Sequence, residues 1–236
     1  MSPTFSRNET YLDGQEIHTV SGFCRSDSLN LGTLIAQAPR IMEEQKIPAS
    51  RPWRLTELAC SDGRETWSIA AGLAIQGIPF QISAYDINPI VVNCTRRRYD
   101  YNKTYLAEDL QRWGLPAECL DFFEQGGKYL KPNAKLLKQN IRFAVADARR
   151  DALAPADVVI ANNFLKECYV ENSPSLLQSI GNAATCLEPG GLFTTNDAHY
   201  ASIEQTLAGN DLYPDPIFGR YNYPHFYQYQ PVSPLQ

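Results

Sequence analysis

The residues best suited to chemistry gather in one short turn, Ala59-Cys60-Ser61-Asp62-Gly63, with Glu65 directly after it. Small side chains there let a ligand approach the backbone, and Gly63 can take the positive φ that other residues resist. Asp86 follows 23 residues after Gly63, at the end of the next apolar run. A carboxylate in that position can accept both hydroxyls of a ribose, while Asn88 is available to cap the helix that follows. A dinucleotide turn would need G-x-G-x-x-G so that a pyrophosphate could reach the backbone. Only one glycine is present, and Asp62 and Glu65 would repel phosphates, so NAD and FAD are disfavoured. S-adenosylmethionine (SAM) carries a ribose, no phosphate, an ammonium and a sulfonium, and acidic groups in the turn suit it.

No other cluster competes. Cys24, Cys60, Cys94, Cys119, Cys168 and Cys186 form no C-x-x-C pair, and His18, His199 and His225 stand alone. Metal-ligand spacing and a compact disulfide framework are therefore not expected, and reduced thiols in the cytoplasm are the simplest account. There is also no G-x-S-x-G nucleophile elbow.

The turn must be held by a strand and a helix. Residues 53–60 read as the strand and 64–76 as the helix, with Trp67, Ala70, Ala71 and Ala74 at helical spacing. Further strands are expected over 79–86, 140–147, 156–162 and 192–195, with a helix opening at Asn88-Pro89 and another over 173–187. Strands alternating with helices predict an α/β domain with a doubly wound, mostly parallel sheet covered on both faces. Residues 102–139 sit outside the alternation as an insertion between the second and third strands. It holds helical pieces over 105–113 and 116–125 and a short segment at 128–130. Residues 226–230 read as a final strand in a tyrosine-rich tail. Residues 1–17 are polar, which suits either a mobile segment or a lid, and leaves 18–236 as one domain.

With 236 residues, 44% of them hydrophobic, the chain can bury one sizeable core. A net charge of -5 disfavours nucleic acid, and Arg96-Arg97-Arg98 is an isolated basic run. The polar first twenty residues and the lack of a run of about 20 apolar residues predict no signal peptide and no membrane partner.

The motifs together resemble the chemotaxis receptor methyltransferase (CheR) family. Residues 59–70 are similar to its C-S-x-G-x-E-x-Y-S-I-A. Ser21-Gly22-Phe23-Cys24-Arg25 is similar to its T-x-F-F-R, and Ala84-Tyr85-Asp86-Ile87-Asn88 to its A-T-D-I-D. Asp157 to Leu165 resembles F-D-x-I-x-C-R-N-V-L, and Leu187 to Gly191 resembles L-x-P-G-G. Five matches in order span about residues 18–195. The resemblance implies the Rossmann-like class I SAM methyltransferase fold and SAM as cofactor. It implies Ser21 and Arg25 on the SAM carboxylate, Glu65 on its ammonium and Asp86 on the ribose diol. Asp147 would take the adenine amino group, and Asn162 and Asn163 would lie near the sulfur and methionine portion. Ala59, Ser61, Gly63, Ile87 and Ala148 complete the expected cofactor contacts.

The departures from the family pattern bear on the acceptor. Where the receptor enzymes place an arginine and a tyrosine beside the transferring methyl, this chain has Asn162 and Glu167. A carboxylate acceptor would lose a cation and meet an anion. Glu167 would instead serve as a general base for an amine or hydroxyl, or hold a cationic substrate; an exposed helix-start residue is the alternative. Tyr200 and the tyrosine-rich tail would line a small acceptor's pocket, and Arg25 joins Glu167 and Tyr200 as an expected catalytic residue. Few residues precede the Ser21 motif, so the helical domain of the receptor enzymes is expected to be absent. Three activities remain open: methylation of a small-molecule nitrogen or oxygen, glutamate O-methylation of a receptor-type protein, and non-methylating use of SAM by intramolecular attack or as a sensor. The oligomeric state is left open.

Overall fold

A computed structural model of the chain describes residues 8–12, 15–19, 29–61, 63–89, 92–93, 103–112, 114–126, 129–162, 164–165, 173–197, 201–215 and 226–231. Strands β1 (Asn8–Leu12) and β2 (Gln15–Thr19) form an antiparallel hairpin where only a polar segment was expected. Its register pairs Leu12 with Gln15, leaving a two-residue connection whose sequence is Asp13-Gly14, a strong hairpin signal.

The main sheet is built from β3 (Trp53–Leu58), β4 (Phe80–Asp86), β7 (Asn140–Val145), β8 (Ala156–Ile160), β9 (Leu187–Thr194), β10 (Leu212–Pro214) and β11 (Phe226–Tyr229). Its order is β10-β11-β9-β8-β3-β4-β7. The five strands from β9 to β7 run parallel, while β11 is antiparallel to β9 and β10 to β11. The chain runs outward from β3 through β4 to β7, then returns to the other side of β3 to lay down β8 and β9. Strand order therefore reverses between β3 and β8, and the ligand crevice of such a sheet opens beyond their carboxyl ends.

Alternation along the strands explains why both faces are apolar. Trp53, Leu55, Ile82, Ala84, Val158, Ile160, Leu192 and Phe226 join one core cluster, and Leu58, Tyr85, Val159, Ala161, Phe193 and Tyr227 join the other. Helices α1 (Leu29–Ala36), α2 (Ala38–Glu44) and α3 (Arg64–Ile75) supply the first cluster. Gly72 lets α1 approach α3 closely, since a Cβ there would stand 2.9 Å from Ile35 Cδ1. The insertion closes the same side with α4 (Lys103–Arg112), a 3-10 turn (Ala117–Phe122), the hairpin β5 (Phe123–Gly126) and β6 (Tyr129–Pro132), and α5 (Ala134–Leu137). The second cluster is completed by α6 (Ser173–Cys186) and α7 (Ala201–Ala208) through Leu176, Ile180, Ala183, Ile203 and Leu207.

Three further expectations shift. Residues 116–125 make only a 3-10 turn before Phe123 becomes extended at φ -127°, ψ 143°, so the second helical piece of the insertion is short and runs into a strand. The fifth parallel strand starts at Leu187 rather than Leu192. The Glu188-Pro189-Gly190-Gly191 run is absorbed by a register shift between Ala156 and Val158, with Gly190 at φ +80°. Strand β10 was not expected; it is three residues long and lies at the sheet edge, where Pro214 is tolerated.

Candidate functional site

The turn after β3 is wound tightly. Ala59 (φ 55°), Ser61 (φ 48°) and Gly63 (φ 75°) are all left-handed. Cys60 N donates to Tyr85 O at 2.9 Å, and Gly63 N closes the turn onto Cys60 O at 2.8 Å. Holding two non-glycine residues in this region costs on the order of 1–3 kcal/mol each, and such strain concentrates at ligand clamps.

Asp86 ties this turn to the end of β4. It is 4% exposed; its Oδ2 accepts Ser61 N and its Oδ1 accepts Asn88 N, each at 2.9 Å. The second bond is a two-residue Asx link, so Asp86 shares the capping work expected of Asn88.

Glu65 opens α3, where the helix dipole favours an anion. It is buried, and its Oε2 accepts Asn162 Nδ2 at 3.2 Å. Glu57, buried near the end of β3, accepts Thr66 Oγ1 at 2.6 Å. Three buried carboxylates and one buried guanidinium, Arg64, thus gather at the carboxyl end of β3 and the start of α3, and the formal charge left over is negative, which suits a cationic ligand better than a phosphate.

Asn162 sits just beyond β8 with both ends of its amide engaged. Asn30 Nδ2 donates to Asn162 Oδ1 at 2.8 Å and to Thr194 Oγ1 at 2.9 Å, and Asn162 Nδ2 faces Asn30 Oδ1 at 3.4 Å. Asn30, Glu57, Thr66 and Thr194 were not singled out from sequence. The signals present were a lone Asn within Leu29-Asn30-Leu31 and an acid inside a strand buried on both faces.

Asp147, expected to receive an adenine, is turned back onto its own loop. Its Oδ1 accepts Arg149 Nε at 2.8 Å and Arg149 N at 3.0 Å, its Oδ2 accepts Arg149 Nη2 at 2.8 Å, and Arg150 Nε lies 3.2 Å from Oδ2. Burial pushes this carboxyl's pKa up, but the Arg149 hydrogen bonds and the two guanidinium charges outweigh it and hold it below the usual range. The ion pair is a local one, made by residues two and three positions along the chain. Ala148 is buried in the second cluster and Ile87 is half-buried after β4. Ser21, Arg25, Asp62, Asn163, Glu167 and Tyr200 lie outside the described residues. Among the described residues no group of three or more His, Cys, Asp or Glu could hold a metal, and no helix is long and apolar enough to cross a membrane.

Residues 26–193 match the family described as CheR methyltransferase, SAM binding domain. No curated protein matches the chain. Among solved structures, the CurJ carbon methyltransferase aligns with a TM-score of 0.50 at 14% identity, covering 86% of this chain and 54% of that one. A TehB-like SAM-dependent methyltransferase from Corynebacterium glutamicum ATCC 13032 gives 0.43 at 11% identity, covering 88% and 87%. The citrinin polyketide synthase CMeT domain gives 0.40 at 16% identity, covering 69% of this chain and 34% of its own. The chain thus spans about a third of the citrinin synthase domain's chain and about half of the CurJ chain, and the likeness to CurJ is one of fold.

Proposed function

The chain belongs to the CheR methyltransferase family, and from that premise we propose that it moves a methyl group from SAM to a nitrogen or oxygen of a small-molecule acceptor. The observation that carries the acceptor class is Asn162. Where the receptor enzymes place an arginine, this chain has a neutral amide whose donors and acceptor are taken up by Asn30 and Glu65. A carboxylate acceptor would find no cation at that position, whereas an amine or hydroxyl needs none.

SAM is the family's cofactor, and the site's chemistry fits it: three buried carboxylates against one buried guanidinium, Arg64, leave a formal negative charge that suits its cationic groups, and Asp86 stands at the carboxyl end of β4, where the ribose of such a ligand lies. Ser21 and Arg25 take the carboxylate, with Arg25 also bordering the reacting groups, and Glu65 takes the ammonium. Asp86 takes the ribose, Ala59, Ser61 and Gly63 offer the close backbone, and Ile87 and Ala148 flank the base. Asp147 accepts the adenine amino group on Oδ2 in place of the 3.2 Å contact from the exposed Arg150. Asn162 and Asn163 border the sulfur and methionine portion, Glu167 removes the acceptor's proton, and Tyr200 lines the acceptor's space. The bound sulfonium supplies an activated methyl for in-line displacement. The chain's share is alignment and removal of water, which is worth several powers of ten in rate when the reacting atoms are held near contact. A cytoplasmic, reducing location agrees with six scattered cysteines.

Methyl-labelled SAM incubated with amine, hydroxyl and carboxylate acceptors tests the reading. S-adenosylhomocysteine formed with an amine or hydroxyl acceptor is expected. Base-labile methyl esters on a protein fraction would replace it with the receptor-type activity. Methylthioadenosine formed from SAM alone would replace it with attack within SAM, and complete retention of label with every acceptor would reduce the chain to a SAM-binding sensor.

A further inference from the structure

The amides of Asn30 and Asn162 face each other as a cyclic pair, although 132 residues separate them. Each Nδ2 carries two hydrogens. Asn30 gives one to Asn162 Oδ1 at 2.8 Å and the other to Thr194 Oγ1 at 2.9 Å. Asn162 turns one towards Asn30 Oδ1 at 3.4 Å and the other to Glu65 Oε2 at 3.2 Å. Asn30 is 1% exposed, Asn162 7%, Glu65 8% and Thr194 0%, so water has little access to replace these partners.

We propose that Asn30 is a positioning residue for the amino-acid end of the cofactor, acting through Asn162 on Glu65. An isolated Asn162 amide has two nearly isosteric orientations. In one its Nδ2 meets the Glu65 carboxylate, and in the other its Oδ1 does, which is repulsive. Glu65 disfavours the second, and Asn30 locks the first, because its own Nδ2 claims Asn162 Oδ1. Thr194 Oγ1 accepts Asn30's remaining hydrogen and so anchors the Asn30 amide in the pair. The order of control runs from the end of β9, through α1, to the end of β8 and the first turn of α3. The carboxylate at its end is the group assigned above to the SAM ammonium, so the inference rests on that reading. It adds a residue outside the recognisable motifs and explains why a neutral Asn can stand at position 162: its role there is to orient Glu65.

The test compares two ligands on the full chain by calorimetry. S-adenosylhomocysteine carries the amino-acid end, whereas 5′-methylthioadenosine shares the nucleoside and lacks that end. Asn30→Ala is expected to weaken S-adenosylhomocysteine by roughly tenfold, the scale of a lost hydrogen bond to a charged group, and methylthioadenosine by less than about twofold. Thr194→Val should move the same ratio in the same direction by a smaller factor. Equal weakening of both ligands by Asn30→Ala, or no weakening of either, overturns the positioning role. Absence of S-adenosylhomocysteine binding to the unmodified chain overturns the cofactor reading instead, and the inference with it. If Asn30→Ala does not fold, Asn30→Ser is judged by the same ratio.

Discussion

Replacing Asp86 by Asn changes one atom yet should disable the ribose end of the site. The carboxylate accepts two backbone N–H groups from opposite turns, Ser61 N on Oδ2 and Asn88 N on Oδ1, each at 2.9 Å. An amide can accept only one of them. Its Nδ2 would meet the other N–H donor to donor at a site 4% exposed. One charge-assisted bond becomes neutral and one is lost, and bonds to charged groups are worth about 1.5–3 kcal/mol each. A net loss of about 2–3 kcal/mol follows, and Ser61, left-handed at φ 48°, loses the bond that anchors it. The ribose diol would lose its charge-assisted bonds as well, since one hydroxyl would then donate to a neutral oxygen and the other would have to accept from Nδ2. Weakening of S-adenosylhomocysteine by about 30- to 100-fold is expected. Calorimetry with S-adenosylhomocysteine and its 2′,3′-dideoxy analogue separates the two effects. The unmodified chain should prefer the diol strongly, and Asp86→Asn should bind the two within about threefold. If Asp86→Asn keeps the original preference for the diol, Asp86 acts only on the loop and the ribose assignment fails.

At the opposite end of the strands, Asp157 is 3% exposed in its side chain and accepts forks from Arg51 and Arg54, while Arg54 also pairs with Glu188. Breaking a buried pair costs about 3–5 kcal/mol, and the partly exposed arginines put Asp157→Asn near the lower end; thermal unfolding should fall by roughly 6–12 °C with S-adenosylhomocysteine affinity unchanged. Burial pushes the Asp157 carboxyl up, but Arg54 and then Arg51 outweigh it, so its folded pKa lies below the unfolded value near 4. Its stabilisation is therefore fully present above about pH 4 and lost as pH falls through the folded pKa, and an acid titration of Asp157→Asn that is as steep as the unmodified chain's would contradict this. Gly63→Ala forces a side chain to φ 75° and should cost about 1–2 kcal/mol in denaturant unfolding, with a severalfold loss of S-adenosylhomocysteine affinity; unchanged values in both would show that the turn relaxes without cost.

The turn proposed to hold the cofactor was legible as a turn because its residue pattern is local. Small residues, one glycine and Glu65 fall within seven positions, and Asp86 follows at the spacing of one strand-helix-strand unit. Parallel strands were legible from alternating apolar runs, but their ends were not: pairing at β9 runs through Pro189 and Gly190 by means of a shift in register, and propensity disfavours both residues. Asp147 shows the opposite limit. Its capture by Arg149 is also local, but a carboxylate beside two arginines reads equally well as a ligand acceptor or as an ion pair, and packing decides between them.

Asn162 marks the point where sequence reasoning must give way to structure. As a departure from a motif, it reads as the removal of a cation. Its meaning depends on what lies opposite, and Asn30 stands 132 positions away on another layer of the fold, with Thr194 behind it. A buried Asn with one partner missing would leave polar atoms unpaired at a cost of about 1–3 kcal/mol each. Such a cost disfavours a lone arginine-to-asparagine change and favours one made together with an amide at position 30. The three residues therefore act as a unit: Asn30 and Thr194 make Asn162 tolerable in the interior, and Asn162 in turn directs a hydrogen-bond donor to Glu65, the carboxylate proposed to receive the cofactor's ammonium.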